Sequence, residues 1–180
     1  PVIEEKLRAQ GARALATTLE SPLIPVLARM EHAGILVDRD YLYKLNSDFG
    51  QKMISLEQTI QQLAGEEFNV NSNLQLQRIL FDKLALPKTR KINTGYSTDA
   101  AELEKLAGCH PILASLLEYR EVSKLKNGFT EMLLGLIDPK SRRIHTTYEQ
   151  TTAATGRLSS SAPNLQNIPI RGDLGRQIRR

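Results

Sequence analysis

The residues of this 180-residue chain that could do chemistry favour binding over bond-breaking. His32, His110 and His145 are scattered and read as surface or helix-capping residues. Cys109 sits beside His110, but adjacent side chains rarely face each other, and a cysteine between helices is usually inert. There is no Ser-His-Asp arrangement in a recognisable local context and no phosphate loop of the Walker type. No pair of carboxylates has the spacing of a two-metal centre.

The hydroxyl, amide and basic residues are more informative. Asn71, Ser72, Thr94, Ser97 and Thr98 fall at expected helix N-termini or in turns beside them. Free backbone N–H groups and a partial positive charge there suit phosphate oxygens. Lys88, Arg90 and Lys91 are close in sequence; plain helix capping is the competing account. Arg120, Lys124 and Asn127 fall at i, i+4 and i+7 on one helix face, with Tyr119, Ser123 and Lys126 beside them. Such a stripe suits a nucleic-acid backbone. A solvated face partly neutralised by Glu118 and Glu121 is the alternative.

The run Thr151 to Arg171, TTAATGRLSSSAPNLQNIPIR, carries amides, hydroxyls and arginine with few core residues. Ordering it is costly unless those groups find partners. A duplex minor groove offers acceptors at purine N3 and pyrimidine O2 whatever the sequence. Arg157, Gln166 and Asn167 are suitable donors for it. An Asn-Pro-rich loop that merely bridges strands is the other reading.

The elements that must position these groups are mostly helical. Glu4 to Leu19 is helix-compatible. Ser21-Pro22 signals a helix start, and Gly34 ends the helix that follows. Asp38 is the expected cap of a long helix from Arg39 to about Ala64, about 39 Å at about 1.5 Å per residue. Its apolar stripe is Leu42, Leu45, Phe49, Met53, Leu56, Ile60 and Leu63, and Gly65 stops it. Asn71 or Ser72 caps a helix burying Leu74, Leu76, Ile79, Leu80 and Leu84. Lys88 to Ser97 reads as a basic loop with a Thr-Gly turn. Ser97 to Asp99 caps a helix that runs to Leu106. Pro111 opens a long helix through about Ile137, burying Leu113, Leu116, Leu117, Leu125, Phe129, Met132, Leu133 and Leu136. Arg143 to Tyr148 and Gln150 to Thr155 read as strands.

Composition narrows the class. Hydrophobic residues are 41% and charged residues 24%, a globular mixture. No apolar run is long enough for a membrane helix, and the opening residues do not read as a signal peptide. One cysteine excludes an internal disulfide and fits a reducing, cytoplasmic setting. Net charge is +4, and residues 139–180 hold eight Lys and Arg against two Asp and Glu. A polyanionic partner at that end is consistent with this, as is a solvated surface.

TGRLSSSAPNLQNIPIR, Thr155 to Arg171, closely resembles the signature that opens the palm of family A DNA polymerases, the bacterial DNA polymerase I type. Similarity extends upstream through YREVSKLKNGF, FNVNSNLQLQRILFDKLALP and SPLIPVLARMEHAGILVD, and through RIHTTYEQTTAATGRLSS at the thumb-to-palm crossing. The resemblance implies a mainly α fold: an antiparallel long-helix thumb bundle with a small helical tip, plus a short β portion from the palm edge. It implies residues 1–20 as the last helix of a preceding exonuclease-like domain, 21–138 as thumb and 139–180 as the start of the palm.

Site roles follow from the same resemblance. Asn69, Asn71, Ser72, Lys91, Thr94, Ser97 and Thr98 would contact duplex phosphates from the thumb tip. Arg120 and Lys124 would hold the backbone, and Arg157 would reach the minor groove at the primer end. Asn164, Gln166 and Asn167 would lie along the template, and Arg171 near the phosphates of the incoming nucleotide. Ala162 stands where an acidic residue often precedes the proline, with little effect expected.

The family's palm aspartates, which hold two Mg²⁺ ions, and its fingers helix are not in this sequence. The resemblance therefore implies no cofactor and no catalytic residue in this chain, which alone would be inactive. The intact protein would be a Mg²⁺-dependent DNA-directed DNA polymerase acting in replication and repair. Primer-template DNA and dNTP would be its partners. It would be a cytoplasmic, nucleoid-associated monomer without a membrane. Two other readings remain open: a stand-alone helical nucleic-acid-binding module, and a non-enzymatic helical interaction scaffold.

Overall fold

In a computed structural model, residues 2–170 and 172–180 are described. The chain opens with helix α1 (Val2–Ala9) and turns at Gly11, φ +67°. The helix expected over 4–19 is therefore broken, because a left-handed glycine ends an α-helix. Helix resumes at α2 (Arg13–Leu15), passes through a π turn at Ala16–Glu20 and continues as α3 (Ser21–Ala33). Ser21-Pro22 does not start a helix: Ser21 is helical and the residue before it makes no side-chain cap. Pro22 has no N–H to give the preceding turn and its ring crowds that turn's carbonyl. The Ser21 N–H reaches back to Ala16 O instead, widening the turn just before the proline.

Gly34 ends α3 at φ +64°, its N–H donating to Met30 O at 2.9 Å. Strand β1 (Ile35–Leu36) leads to Asp38, whose Oδ1 accepts from Tyr41 N at 3.0 Å and caps the 26-residue helix α4 (Arg39–Ala64). These are the expected cap and helix. Helix α5 (Asn73–Gln77) begins at Ser72, whose hydroxyl accepts from Gln75 N, and runs into a π turn at Arg78–Lys83. The basic loop instead forms a hairpin, β2 (Lys91–Ile92) with β3 (Gly95–Tyr96). Its turn holds Asn93 and Thr94, and Gly95 opens β3 at φ +122°. Helices α6 (Ala100–Glu104) and α7 (Pro111–Leu125) follow, then a π turn at Lys126–Thr130 and α8 (Glu131–Leu136).

Three short strands complete the order: β4 (Arg143–Ile144), β5 (Thr147–Glu149) and β6 (Ser159–Ser161). A 3₁₀ turn at Leu165–Asn167 and helix α9 (Asp173–Ile178) close it. The three sheets are antiparallel pairs, β1 with β4, β2 with β3, and β5 with β6. The strand expected over Gln150 to Thr155 is a series of bends and turns, and β5 pairs with Ser159–Ser161. Side-chain propensity misplaced that strand; pairing partners, not β-branched content, decide it.

By its contacts the chain divides into two compact units, Pro1–Leu42 with Leu133–Arg180, and Tyr43–Met132. The second unit is built on antiparallel helices. Thr130 Oγ1 donates to Asn46 Oδ1 at 2.7 Å, a Cβ on Gly50 would lie 3.5 Å from Lys126 Cε, and Lys52 pairs with Glu118 at 2.5 Å. Positions rise along α4 as they fall along the other helix, the arrangement expected of a long-helix hairpin. Its core joins Ile60, Leu76, Ile79, Leu80, Leu103, Ile112 and Leu116, all fully buried. Phe81 and Tyr96 meet edge to face with centroids 5.5 Å apart. Tyr119 and Val122 also belong inside, whereas Leu74 is 75% exposed. Leu74 lies in the first turn of α5, opposite the face that Leu76, Ile79 and Leu80 bury.

The first unit has a smaller core of Leu42, Leu133 and Ile144, with Val37, Leu134, Ile137, Leu165, Ile168 and Ile178 packed on it. Met132 and Leu136, read as core, are exposed because Leu133 takes the inward face of α8. Leu165 and Ile168 anchor the amide-rich segment, which so contributes more to a core than its composition suggests.

Leu116→Ala is expected to cost about 2–5 kcal/mol, the range for emptying a tightly packed leucine site. Leu74→Ala should stay within about 0.5 kcal/mol. Urea unfolding of both variants checks the inversion; equal losses would contradict the assigned core.

Candidate nucleic-acid interface

In the unit Tyr43–Met132, the tip residues are tied to α7 through polar side chains. Asn69 Oδ1 accepts from Asn71 N at 2.9 Å, and Asn69 N donates to Gln75 Oε1 at 2.8 Å. Asn71 Nδ2 donates to the buried Tyr119 hydroxyl at 3.0 Å. Ser97 is buried and its hydroxyl donates to Asp99 Oδ2 at 2.8 Å. Thr98 Oγ1 reaches Asn73 Oδ1 at 3.3 Å. The Arg120 guanidinium donates to the Thr98 carbonyl and, at 3.3 Å, to Thr98 Oγ1. Asn71 and Thr98 are thus each held by a residue of α7, Tyr119 and Arg120 respectively, Ser97 is held by Asp99, and Ser72 caps α5 nearby in sequence.

This placement separates two kinds of residue. Arg120 is half-buried, and burial lowers its guanidinium's pKa, an effect the Asp99 carboxylate opposes. Five donors in a planar fork let it hold a backbone carbonyl and a hydroxyl together. Lys91, Thr94 and Lys124 are exposed and make no side-chain hydrogen bond or ion pair among the described residues. Arg90, in contrast, lies 3.7 Å from Asp99, and Lys88 Nζ sits 5.0 Å from the Tyr96 ring centroid. The hairpin carrying Lys91 and Thr94 is held by Gln77, whose Oε1 accepts from Tyr96 N at 2.9 Å. A Cβ at Gly95 would collide with that oxygen, and φ there is +122°, so glycine suits this position of the hairpin.

In the other unit, β5 and β6 frame the signature segment in the register Thr147 opposite Ser161, Tyr148 opposite Ser160 and Glu149 opposite Ser159. Thr146 is buried and its hydroxyl lies 3.0 Å from Ser161 O and 2.8 Å from Pro163 O. The backbone of β5 is held in turn by α3 and its approach: Tyr148 N donates to Glu31 Oε1 at 2.6 Å, and Gln150 Nε2 to Glu20 Oε2 at 2.6 Å. The Thr152 hydroxyl, and then that of Ser161, hold the Glu149 carboxyl below the usual carboxylate range.

Asn164 caps the 3₁₀ turn, its Oδ1 accepting from Gln166 N at 3.0 Å. Gln166 Nε2 donates to Leu158 O at 2.8 Å and its Oε1 accepts from Ser160 N at 3.3 Å. Arg157 and Asn167 are exposed, with no side-chain hydrogen bond among the described residues. Arg171 lies outside the described residues.

The histidines take no part. His110 caps α7, its Nδ1 accepting from Ile112 N at 3.2 Å, while His145 Nδ1 lies 2.8 Å from Glu31 O and His32 is exposed. Among the described residues no three His, Cys, Asp or Glu side chains gather as metal ligands. No described helix is long and apolar enough to cross a membrane. The sequence reading missed Gln77, Thr146 and Glu149, whose polar contacts leave no spacing signal; Tyr119, read beside the basic stripe, is buried, and its i, i+3 relation to Leu116 and Val122 carries that signal.

A family model described as DNA polymerase family A matches residues 39–180. The chain belongs to this family. It is 51% identical over 164 residues to a DNA polymerase I of Synechocystis sp., covering 90% of this chain and 17% of that protein. It is 50% identical over 182 residues to the thermostable DNA polymerase I of Thermus thermophilus, covering 99% and 22%. The fold matches the POL domain of Pol1 from M. smegmatis, solved in complex with DNA primer-template and dNTP. That match has a TM-score of 0.87 at 44% identity and covers 98% of this chain and 31% of the other. The chain thus spans about a fifth of the length of the curated relatives it matches. The expected mainly α fold, with long antiparallel helices and short strands, agrees with this neighbour.

Arg120→Ala should lower stability by about 1–3 kcal/mol, the range for hydrogen bonds from a charged donor. Lys124→Ala should stay within about 0.5 kcal/mol. Urea midpoints for the two variants decide it, and equal midpoints would remove Arg120 from its bracing role.

Glu149 has a folded pKa below its unfolded one, so the stability it contributes is complete above the ordinary glutamate range near about 4.3. That contribution is lost as pH falls through the lower folded value. Thermal melts from pH 7 downward should converge for the chain and its Glu149→Gln variant at acid pH. A gap that widened toward acid would reverse the sign.

Proposed function

We propose that this chain is the duplex-gripping part of a DNA-directed DNA polymerase of the DNA polymerase I type, binding primer-template DNA in replication and repair. The observation that carries the reading is that, among the described residues, Lys91, Lys124 and Arg157 are exposed basic groups without an acidic partner, beside turns and helices braced by internal polar contacts. Cations held ready by a braced framework meet phosphates with little reorganisation. The signature match and the M. smegmatis neighbour, itself bound to primer-template and dNTP, support the same reading.

In this reading Lys91, Thr94 and Lys124 contact backbone phosphates, and Asn69, Asn71, Ser72, Ser97, Thr98 and Arg120 shape and supplement that surface. Arg157 reaches the minor groove, with Asn164, Gln166 and Asn167 along the template side and Arg171 near nucleotide phosphates. Nucleotidyl transfer, with its Mg²⁺ and dNTP, belongs to the longer protein, whose acidic metal ligands lie outside the residues described here. A bacterial cytoplasmic, nucleoid-associated setting and a monomeric state complete the proposal. Residues 1–20, 21–138 and 139–180 are proposed as the end of a preceding domain, the thumb and the start of the palm.

Fluorescence anisotropy with a short duplex tests it. Binding should be detectable at low salt and weaken log-linearly as salt rises. Replacing Lys124 by Ala should reduce the slope by about 0.9, the loss of one phosphate contact. No binding at low salt would overturn autonomous duplex binding, and an unchanged slope in Lys124→Ala would remove Lys124 from the contact.

A further inference from the structure

Gln166 is exposed, yet both ends of its amide are engaged within the chain. Its Nε2 donates to Leu158 O at 2.8 Å and its Oε1 accepts from Ser160 N at 3.3 Å. These two backbone groups flank Ser159 on the edge of β6. The opposite edge pairs with β5. One primary amide therefore stands where a further strand would offer an N–H and a C=O.

The rest of the turn secures that amide in place. Gln166 N donates to Asn164 Oδ1 at 3.0 Å, and Leu165 N donates to the hydroxyl of the buried Ser160 at 3.0 Å. Leu158, whose carbonyl Gln166 holds, is the residue after Arg157. Arg157 and Asn167 make no side-chain hydrogen bond among the described residues. The amide of Gln166 is thus spent on the strand edge that carries Arg157, while Arg157 itself is left available.

Resting on the duplex-binding reading, we infer that Gln166 is a positioning residue. Its amide closes the free edge of β6 at Leu158 and Ser160 and thereby fixes the backbone from which Arg157 enters the minor groove. Direct base contact falls to Arg157 and Asn167. A residue that reads a base acts independently of Arg157; one that positions Arg157 loses its effect when Arg157 is gone.

The test uses the full chain with Gln166→Ala and Gln166→Met, the second keeping side-chain length without the amide. In the free protein, amide hydrogen exchange at Ser160 should accelerate about three- to tenfold in both variants, a range matching the loss of one intramolecular hydrogen bond. Asn167→Ala should leave it unchanged. Unchanged Ser160 exchange in both Gln166 variants overturns the inference without reference to DNA.

In duplex titrations, Gln166→Ala should weaken binding severalfold in the original background and by less than twofold in Arg157→Ala. Scanning 3-deazaguanine along the duplex should reveal a sensitive register that Arg157→Ala abolishes and Gln166→Ala blunts. Additive losses, or a separate sensitive register abolished only by Gln166→Ala, would make Gln166 a base reader and overturn the inference. Absence of duplex binding by the unsubstituted chain would instead overturn the duplex-binding reading, and the exchange measurement would still decide the brace.

Discussion

Backbone polar groups must be satisfied, and the strands described here are only two or three residues long. Pairing alone leaves most of the N–H and C=O groups between Ile144 and Ile170 without a partner. Side chains take over: Glu31 accepts from Tyr148 N, Thr146 reaches two carbonyls, Ser160 accepts from Leu165 N, and Gln166 serves Leu158 and Ser160. Among the described residues no buried side-chain nitrogen or oxygen lacks a partner. A segment short of apolar residues is ordered because its own amides and hydroxyls substitute for neighbouring strands.

The same economy governs the helical unit. Asn71 is held by Tyr119, Thr98 by Arg120 and Asn73, and Tyr96 by Gln77. Each bond joins a turn to a helix whose apolar face is buried. An arginine suits the Thr98 position better than a lysine, because a planar fork can serve a carbonyl and a hydroxyl at once. Burial works against that charge, and Asp99 opposes the shift. The groups left exposed, Lys91, Thr94 and Lys124, stand beside these braced turns and helices.

The long helices were legible because their apolar residues recur at a spacing that burial demands. Leu42, Leu45, Phe49 and Ile60 were assigned to one face of α4 and are buried there. Asp38 and Gly34 announced their cap and stop through side-chain and φ chemistry that acts locally. Leu74 failed because a leucine in the first turn of a short helix can satisfy the same spacing from outside the core. The β6 strand was missed because serine has no strand signature; its pairing with Tyr148 is a long-range matter. The site was legible as residue types through the signature, yet the division between bracing and available groups was not. Asn164 and Asn167 are chemically identical and both exposed, and only the turn geometry gives one a hydrogen-bond partner within the chain.

Arg157 lies at the end of a stretch whose two ends are treated differently from its middle. Glu149 and Gln150 are anchored on one side, and Leu158 and Ser160 on the other. Between them the chain makes one turn bond, Gly156 N to Ala153 O at 3.1 Å, and Gly156 sits at φ +73° with open space where a Cβ would be. Ordering a free residue costs about 1–2 kcal/mol of backbone entropy, so a long untethered loop would add that cost many times over to any contact its arginine makes. Tethering both ends confines that cost to a handful of residues. Arg157 is thereby held one residue from fixed backbone at Leu158, while the glycine before it has open space on its side.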